Sequence, residues 1–217
     1  MTPVDPALVT RIAASIRSDV KPVRPMLSTN ALVACLLAIF AAVSLGGAAI
    51  LGFNGVRRLD LGAAFLIFSE LLSLALLVSA ASVSSMVPGS RRPMHPGALT
   101  LAACVVLATL FALVFPDRSM GSFVPQGIVC FRAGMIWAVP AGLGTWLVLR
   151  RGFAIDRRAA GVAIGALSGL TGLAVLELHC PNFRLPHVVV WHLGVLAVSA
   201  AAGYFFGSKR RDAELMQ

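Results

Sequence analysis

Six apolar runs, each close to the length of a bilayer crossing, leave this chain few folds to choose from. They fall at 30–51, 61–87, 97–115, 127–149, 159–176 and 187–206. Most reach the roughly 20 residues that an α-helix needs to span the hydrocarbon core, and the fifth is slightly short. Lipid offers no partner to backbone N–H and C=O groups, so such runs are expected to be helices. With 12% charged residues against 58% hydrophobic ones, the chain has too little charge to solvate a globular surface. A net charge of +9 would suit nucleic acid if it formed one stripe. Instead the basic residues cluster between the runs, where charges orient membrane helices. No cleavable signal peptide is expected, because the first run lies behind a polar segment and is long enough to span.

With the N-terminus inside, the inner segments carry Arg11, Arg17, Lys21, Arg24, Arg91, Arg92, Arg150, Arg151, Arg157, Arg158, Lys209, Arg210 and Arg211. The outer loops and rims carry Arg57, Arg58, Arg118, Arg132 and Arg184, so the balance is 13 against 5. That asymmetry obeys the positive-inside rule and places both termini in the cytoplasm. The expected fold is an all-α membrane protein with six transmembrane helices in three hairpins, N-in and C-in. A short amphipathic N-terminal arm (1–29) precedes the bundle (30–206), and a cytoplasmic tail (207–217) follows it. In the arm, Leu8, Ile12 and Ile16 recur every four residues behind Asp5-Pro6, a helix-start signal. Its apolar stripe suits either a lipid surface or a groove on a cytoplasmic protein. Lys21-Pro-Val-Arg-Pro25 then breaks the helix. Gly161, Gly165 and Gly169 put small residues at four-residue spacing in the fifth run, as close helix packing in lipid requires.

Residues 177–192 form the most unusual segment. They hold three of the four histidines, a cysteine and two prolines between two apolar runs, more chemistry than a turn needs. The orientation places Cys180 and Cys130, the latter near the start of the fourth run, at the same outer face. Cys35 and Cys104 lie elsewhere and read as small helix fillers. In an oxidising compartment Cys130 and Cys180 either form a disulfide or remain two partly buried thiols. His179, Cys180, His187 and His192, with Cys130, also make up a candidate ligand set for a soft or borderline metal, bound transiently. His187 and His192 are five residues apart, about 140° apart on an α-helix, so both face one ion only if that first turn is irregular. Otherwise they hydrogen-bond loop carbonyls.

Ionisable groups within apolar runs are costly and point to function. Glu70 lies in the second run, with Arg132 in the fourth as a possible partner, and Glu177 ends the fifth. A proton-coupled transporter or permease-like bundle built on Glu70 is the alternative reading, although midplane polar clusters are scarce. No nucleophile elbow, phosphate loop or zinc-protease helix is present, so no enzyme is expected and no resident cofactor is implied.

Pro22-Val-Arg-Pro25 ahead of the first span, Cys130 entering the fourth, His179-Cys180-Pro181, and Val190-Trp191-His192 in the sixth carry a resemblance. The chain resembles the NrsF family of bacterial inner-membrane anti-sigma factors, six-span partners of extracytoplasmic-function sigma factors. The resemblance implies that the arm sequesters such a sigma factor, with Leu8, Ile12, Ile16, Pro22, Arg24 and Pro25 as contact residues. It also implies that Cys130 and Cys180 sense oxidant or heavy-metal stress. No direct nucleic-acid contact follows from it.

Overall fold

Asp5 accepts a hydrogen bond from the Ala7 amide at 2.9 Å and starts helix α1, Pro6–Asp19. Ser28 caps α2, Thr29–Leu51, through the Ala31 amide. The remaining helices are α3 (Leu61–Met86), α4 (Pro96–Val114), α5 (Phe123–Leu149), α6 (Arg157–His179), the short α7 (Leu185–His187) and α8 (Leu193–Leu215). The computed structural model describes residues 5–19, 27–86, 94–152, 154 and 156–215, and no strand occurs among them. Lys21, Pro22, Arg24, Pro25, Arg91 and Arg92 lie outside the described residues.

Among the described residues six helices are long and apolar enough to cross a membrane, the last running from Leu185 to Ser208 through α7 and the first part of α8. The fourth begins at Phe123, four residues before the apolar run at 127–149, just after Ser122 in a left-handed conformation (φ 55°). The fifth is 23 residues long and is not short. The apolar run at 159–176 is shorter than the helix because Arg157, Arg158, Glu177 and His179 lie inside it, with Asp156 capping it early through the amides of Arg158 and Ala159.

Helix α6 is the hub. Of its apolar stretch 83% is buried, against 39% or less for the other five spans. It packs on α8 above all, then on α5, α2, α3 and α4. The Gly161, Gly165 and Gly169 stripe explains the α8 contact. A side chain at Gly161 or Gly165 would run into the carbonyls of Gly203 or Ser199, and one at Gly169 into Leu196 Cα at 2.6 Å. Backbones this close exchange dispersion contacts that larger residues would forbid. On the α5 side, Ser168 donates to the Ala138 carbonyl at 2.9 Å, an interhelical hydrogen bond that satisfies a buried hydroxyl.

The successive helix pairs do not all pack on one another. Helix α2 packs on α3, and α6 on α8, whereas α4 packs on α6, α3 and α8, and α5 on α6, α2 and α8. The proposed pairing of Glu70 with Arg132 is also not made. Arg132 is exposed, Glu70 is half-buried, and no hydrogen bond or ion pair joins them.

Candidate functional site

The α6 helix ends at His179, and the Cys180 amide still donates to the Leu176 carbonyl at 2.7 Å. That last bond fixes the direction in which the Cys180 side chain leaves the helix. Two turns inside α5, Cys130 meets it: the two sulfurs lie 3.3 Å apart, and both cysteines are free. Cys180 is buried and Cys130 half-buried. Cys180 Sγ also lies 3.6 Å from His187 Nε2. The hydrogen bond to Cys130, then burial, push the Cys180 thiol above the ordinary thiol range, while His187 and His192 pull it down.

The irregular turn needed to align His187 with His192 is present. After α7 the chain makes a π-turn over Val188–His192, in which the Leu193 amide reaches back five residues to the Val188 carbonyl. An i→i+5 repeat stacks residues five apart on one face, and such turns concentrate at functional sites. The two imidazole rings therefore meet edge to face, 5.2 Å between centroids. Potential ligand atoms of Cys130, Cys180, His187 and His192 all lie within 4.8 Å of one another.

His179 is not part of this group. Its Nδ1 lies 3.0 Å from the Gly52 carbonyl oxygen, pinning the end of α6 to the end of α2. Among the histidines of this segment, only His179 bonds a loop carbonyl. Glu177 is the member that spacing does not reveal. Its carboxylate, fully buried, lies 2.7 Å from His192 Nδ1. His192 Nε2, Glu177 Oε2 and His187 Nδ1 are buried without a hydrogen-bond partner among the described residues. A buried carboxyl is tolerated only when paired, so Glu177 and His192 hold each other in place. The sequence signal was an ionisable residue at the end of an apolar run, but nothing in it named the partner.

The surrounding loops clamp the centre. The Gly55 amide donates to the Leu178 carbonyl at 3.1 Å. The chain there runs so close to the Cys180 turn that a Cβ on Gly55 would lie 2.6 Å from the Glu177 carbonyl and 2.8 Å from that of Cys180. Asn182 donates to Gln126 at 2.8 Å, and Arg184 reaches Asp117 at 3.5 Å and the Gly121 carbonyl. Phe183 stacks on Phe115 with centroids 4.9 Å apart. On α5, Gly127 leaves room for the Trp191 indole, which would otherwise overlap a side chain there. Cys35 and Cys104 are half-buried within α2 and α4 and lie outside this cluster.

Fold and site together define a multi-pass helical membrane protein with a buried thiol–imidazole centre at one end of its bundle. The sequence model of the NrsF family, described as negative regulator of sigma F, matches residues 17–210, and the chain belongs to that family. Its role is thus negative regulation of a sigma factor, which is not an enzymatic role. No curated protein and no solved structure matches the chain.

Proposed function

We propose that the protein is a bacterial inner-membrane anti-sigma factor. It holds an extracytoplasmic-function sigma factor through its N-terminal arm and releases it when Cys130 and Cys180 are modified by oxidant or by a soft heavy-metal ion. In this reading residues 1–29 are the cytoplasmic arm, 30–206 the bundle and 207–217 a cytoplasmic tail, with both termini inside. The thiols then face the extracytoplasmic side. The observation that carries the sensing step is the 3.3 Å contact between two cysteines on different helices. Hydrogen peroxide takes two electrons and two protons from the pair. The S–S bond forms, the O–O bond breaks, and two waters leave.

The arm reading is supported by α1 itself. Leu8, Val9, Ile12 and Ile16 are 50–60% exposed, an uncovered apolar stripe of the kind that docks into a protein groove or lies on lipid. The family resemblance adds Pro22, Arg24 and Pro25 to the contact residues. The signal must cross about 30 Å of hydrocarbon. Helix α6 offers the route, since its end carries the site and its length touches α2, α3, α4, α5 and α8. A tenfold change in sigma affinity needs about 1.4 kcal/mol of coupling.

The test is co-purification of the full-length protein in detergent with the sigma factor encoded beside it. A complex is expected that is lost when residues 1–25 are removed. Cys130→Ser and Cys180→Ser are each expected to keep the complex and abolish its release by peroxide. Failure of the intact chain to bind any sigma factor removes the sequestration reading. Normal release from both serine variants removes the sensing reading.

A further inference from the structure

We propose that Cys130, Cys180, His187 and His192 form a four-ligand site for a divalent d10 metal ion of the zinc class, with Glu177 as the carboxylate that orients His192. The inference deepens the sensing reading, since it uses the same two sulfurs, but it rests on separate observations.

The donor set is the first of these. Two thiolates and two imidazoles suit zinc-class ions, which take four nitrogen and sulfur ligands in a tetrahedron. With metal–sulfur bonds of about 2.3 Å and metal–nitrogen bonds of about 2.05 Å, the edges of such a tetrahedron are about 3.8 Å (S–S), about 3.5 Å (S–N) and about 3.3 Å (N–N). The protein already holds the sulfurs at 3.3 Å and Cys180 Sγ at 3.6 Å from His187 Nε2, and no pair of ligand atoms is more than 4.8 Å apart. No pair therefore has to close by more than about 1.5 Å (4.8 minus 3.3) to complete the shell.

The second observation is His192. It is fully buried, its Nδ1 is engaged by Glu177, and its Nε2 makes no well-formed hydrogen bond among the described residues. Metal-binding histidines almost always give their other ring nitrogen to a carboxylate or carbonyl, which fixes the tautomer and raises ligand basicity. An unpartnered buried nitrogen costs free energy, and a metal at that position removes the cost. The third is the π-turn. It interrupts the helix at the one place where doing so brings residues 187 and 192 onto one face.

Charge also balances. On binding, the two thiols lose two protons to solvent and the ion brings two positive charges. The ion, two thiolates and two neutral imidazoles then sum to zero, and the one remaining charge is the Glu177 carboxylate, held against His192 Nδ1. Because each sulfur is a ligand, the metal-bound form and the Cys130–Cys180 disulfide exclude one another. The ion and the oxidant therefore compete for the same pair.

The experiment uses the full-length protein, reduced, stripped with a chelator and held in detergent micelles. Co2+ is titrated as a spectroscopic probe and then displaced with Zn2+. The expected result is one ion per chain, with tetrahedral d–d bands and a thiolate-to-cobalt charge-transfer band that Zn2+ abolishes. A wild-type spectrum without these bands overturns the proposal and needs no variant. His187→Ala and His192→Ala are expected to weaken Zn2+ binding at least 100-fold, and Glu177→Gln about 10- to 100-fold. The Cys35→Ser/Cys104→Ser double variant is expected to bind like wild type. Unchanged Zn2+ affinity in a folded His187→Ala/His192→Ala protein overturns the four-ligand site. Sigma release by peroxide separates the two readings. It is expected to persist in the histidine variants, whose sulfurs remain, whereas its persistence in both Cys130→Ser and Cys180→Ser would defeat the sensing reading and leave the metal titration standing.

Discussion

Replacing Gly55 by alanine adds one methyl group where the backbone of the Cys180 turn already sits. The new Cβ would lie 2.6 Å from the Glu177 carbonyl oxygen, 2.8 Å from that of Cys180 and 3.1 Å from the Cys180 nitrogen. All three are main-chain atoms, so no rotamer relieves the contact. Real Cβ atoms essentially never come within 3.0 Å, so the turn must retreat by at least 0.4 Å (3.0 minus 2.6). Overpacking of this kind costs about 1–3 kcal/mol. Cys180 moves with the turn, while Cys130 stays on α5, so the strain falls on the sulfur–sulfur approach. If about 1.4 kcal/mol of it appears in the barrier, closure slows tenfold. The assay is diamide-driven loss of free thiols in a Cys35→Ser/Cys104→Ser background, followed in intact membranes. Gly46→Ala is the control, because nothing lies within 4 Å of its Cβ, and it is expected to close at the parent rate. Closure of Gly55→Ala at that same rate would refute the claim that the α2–α3 connection positions Cys180.

Gly165→Leu should force α6 away from the Ser199 carbonyl and Ala200 Cα, lowering stability by about 1–3 kcal/mol or more; unfolding in mixed micelles reads this, and a neutral result would remove the glycine stripe as the α6–α8 seam. Glu177→Ala leaves His192 Nδ1 buried and unpaired, a loss of about 1–3 kcal/mol, whereas Glu177→Gln keeps an acceptor and should lose less. Equal melting of the two variants would show that the hydrogen bond contributes nothing. The exposed Asp117 carboxyl is held below the usual carboxylate range, first by the Ser119 amide and hydroxyl and then by Arg184. A depressed carboxyl contributes stability that is complete above its unfolded value, about 3.9, and is lost as pH falls through the lower folded one. Protease protection of the loop at 180–185 should therefore be flat from neutral pH down to about 4 and decline below it. Asp117→Asn should abolish that acid dependence, and an unchanged profile in the variant would exclude this ion pair as its source.

Helix existence was legible in the chain because a bilayer crossing imposes a length and an apolar composition that can be counted residue by residue. So was the convergence of Cys130 and Cys180 on one end of the bundle. Which faces pack was not legible. In lipid, core-facing and lipid-facing positions are both apolar, so the periodicity that marks the buried side of a soluble helix is missing. For that reason Glu70 and Arg132 looked like partners. The small residues of α6 were the one packing signal in the sequence, and they do mark the hub.

Residues 177–192 divide the same way. Their composition alone set them apart, because three histidines and a cysteine at the rim of an apolar span are more than a turn needs. Spacing showed that His187 and His192 needed an irregular turn, but only the fold supplied it, through a π-turn that depends on hydrogen bonds rather than residue type. Tertiary contacts likewise sent His179 to the Gly52 carbonyl and gave His192 to Glu177, 15 residues away. A side chain's chemistry is local and can be read from the chain. Its partner is set by which helix ends meet, and that is decided only when the other five spans pack around α6.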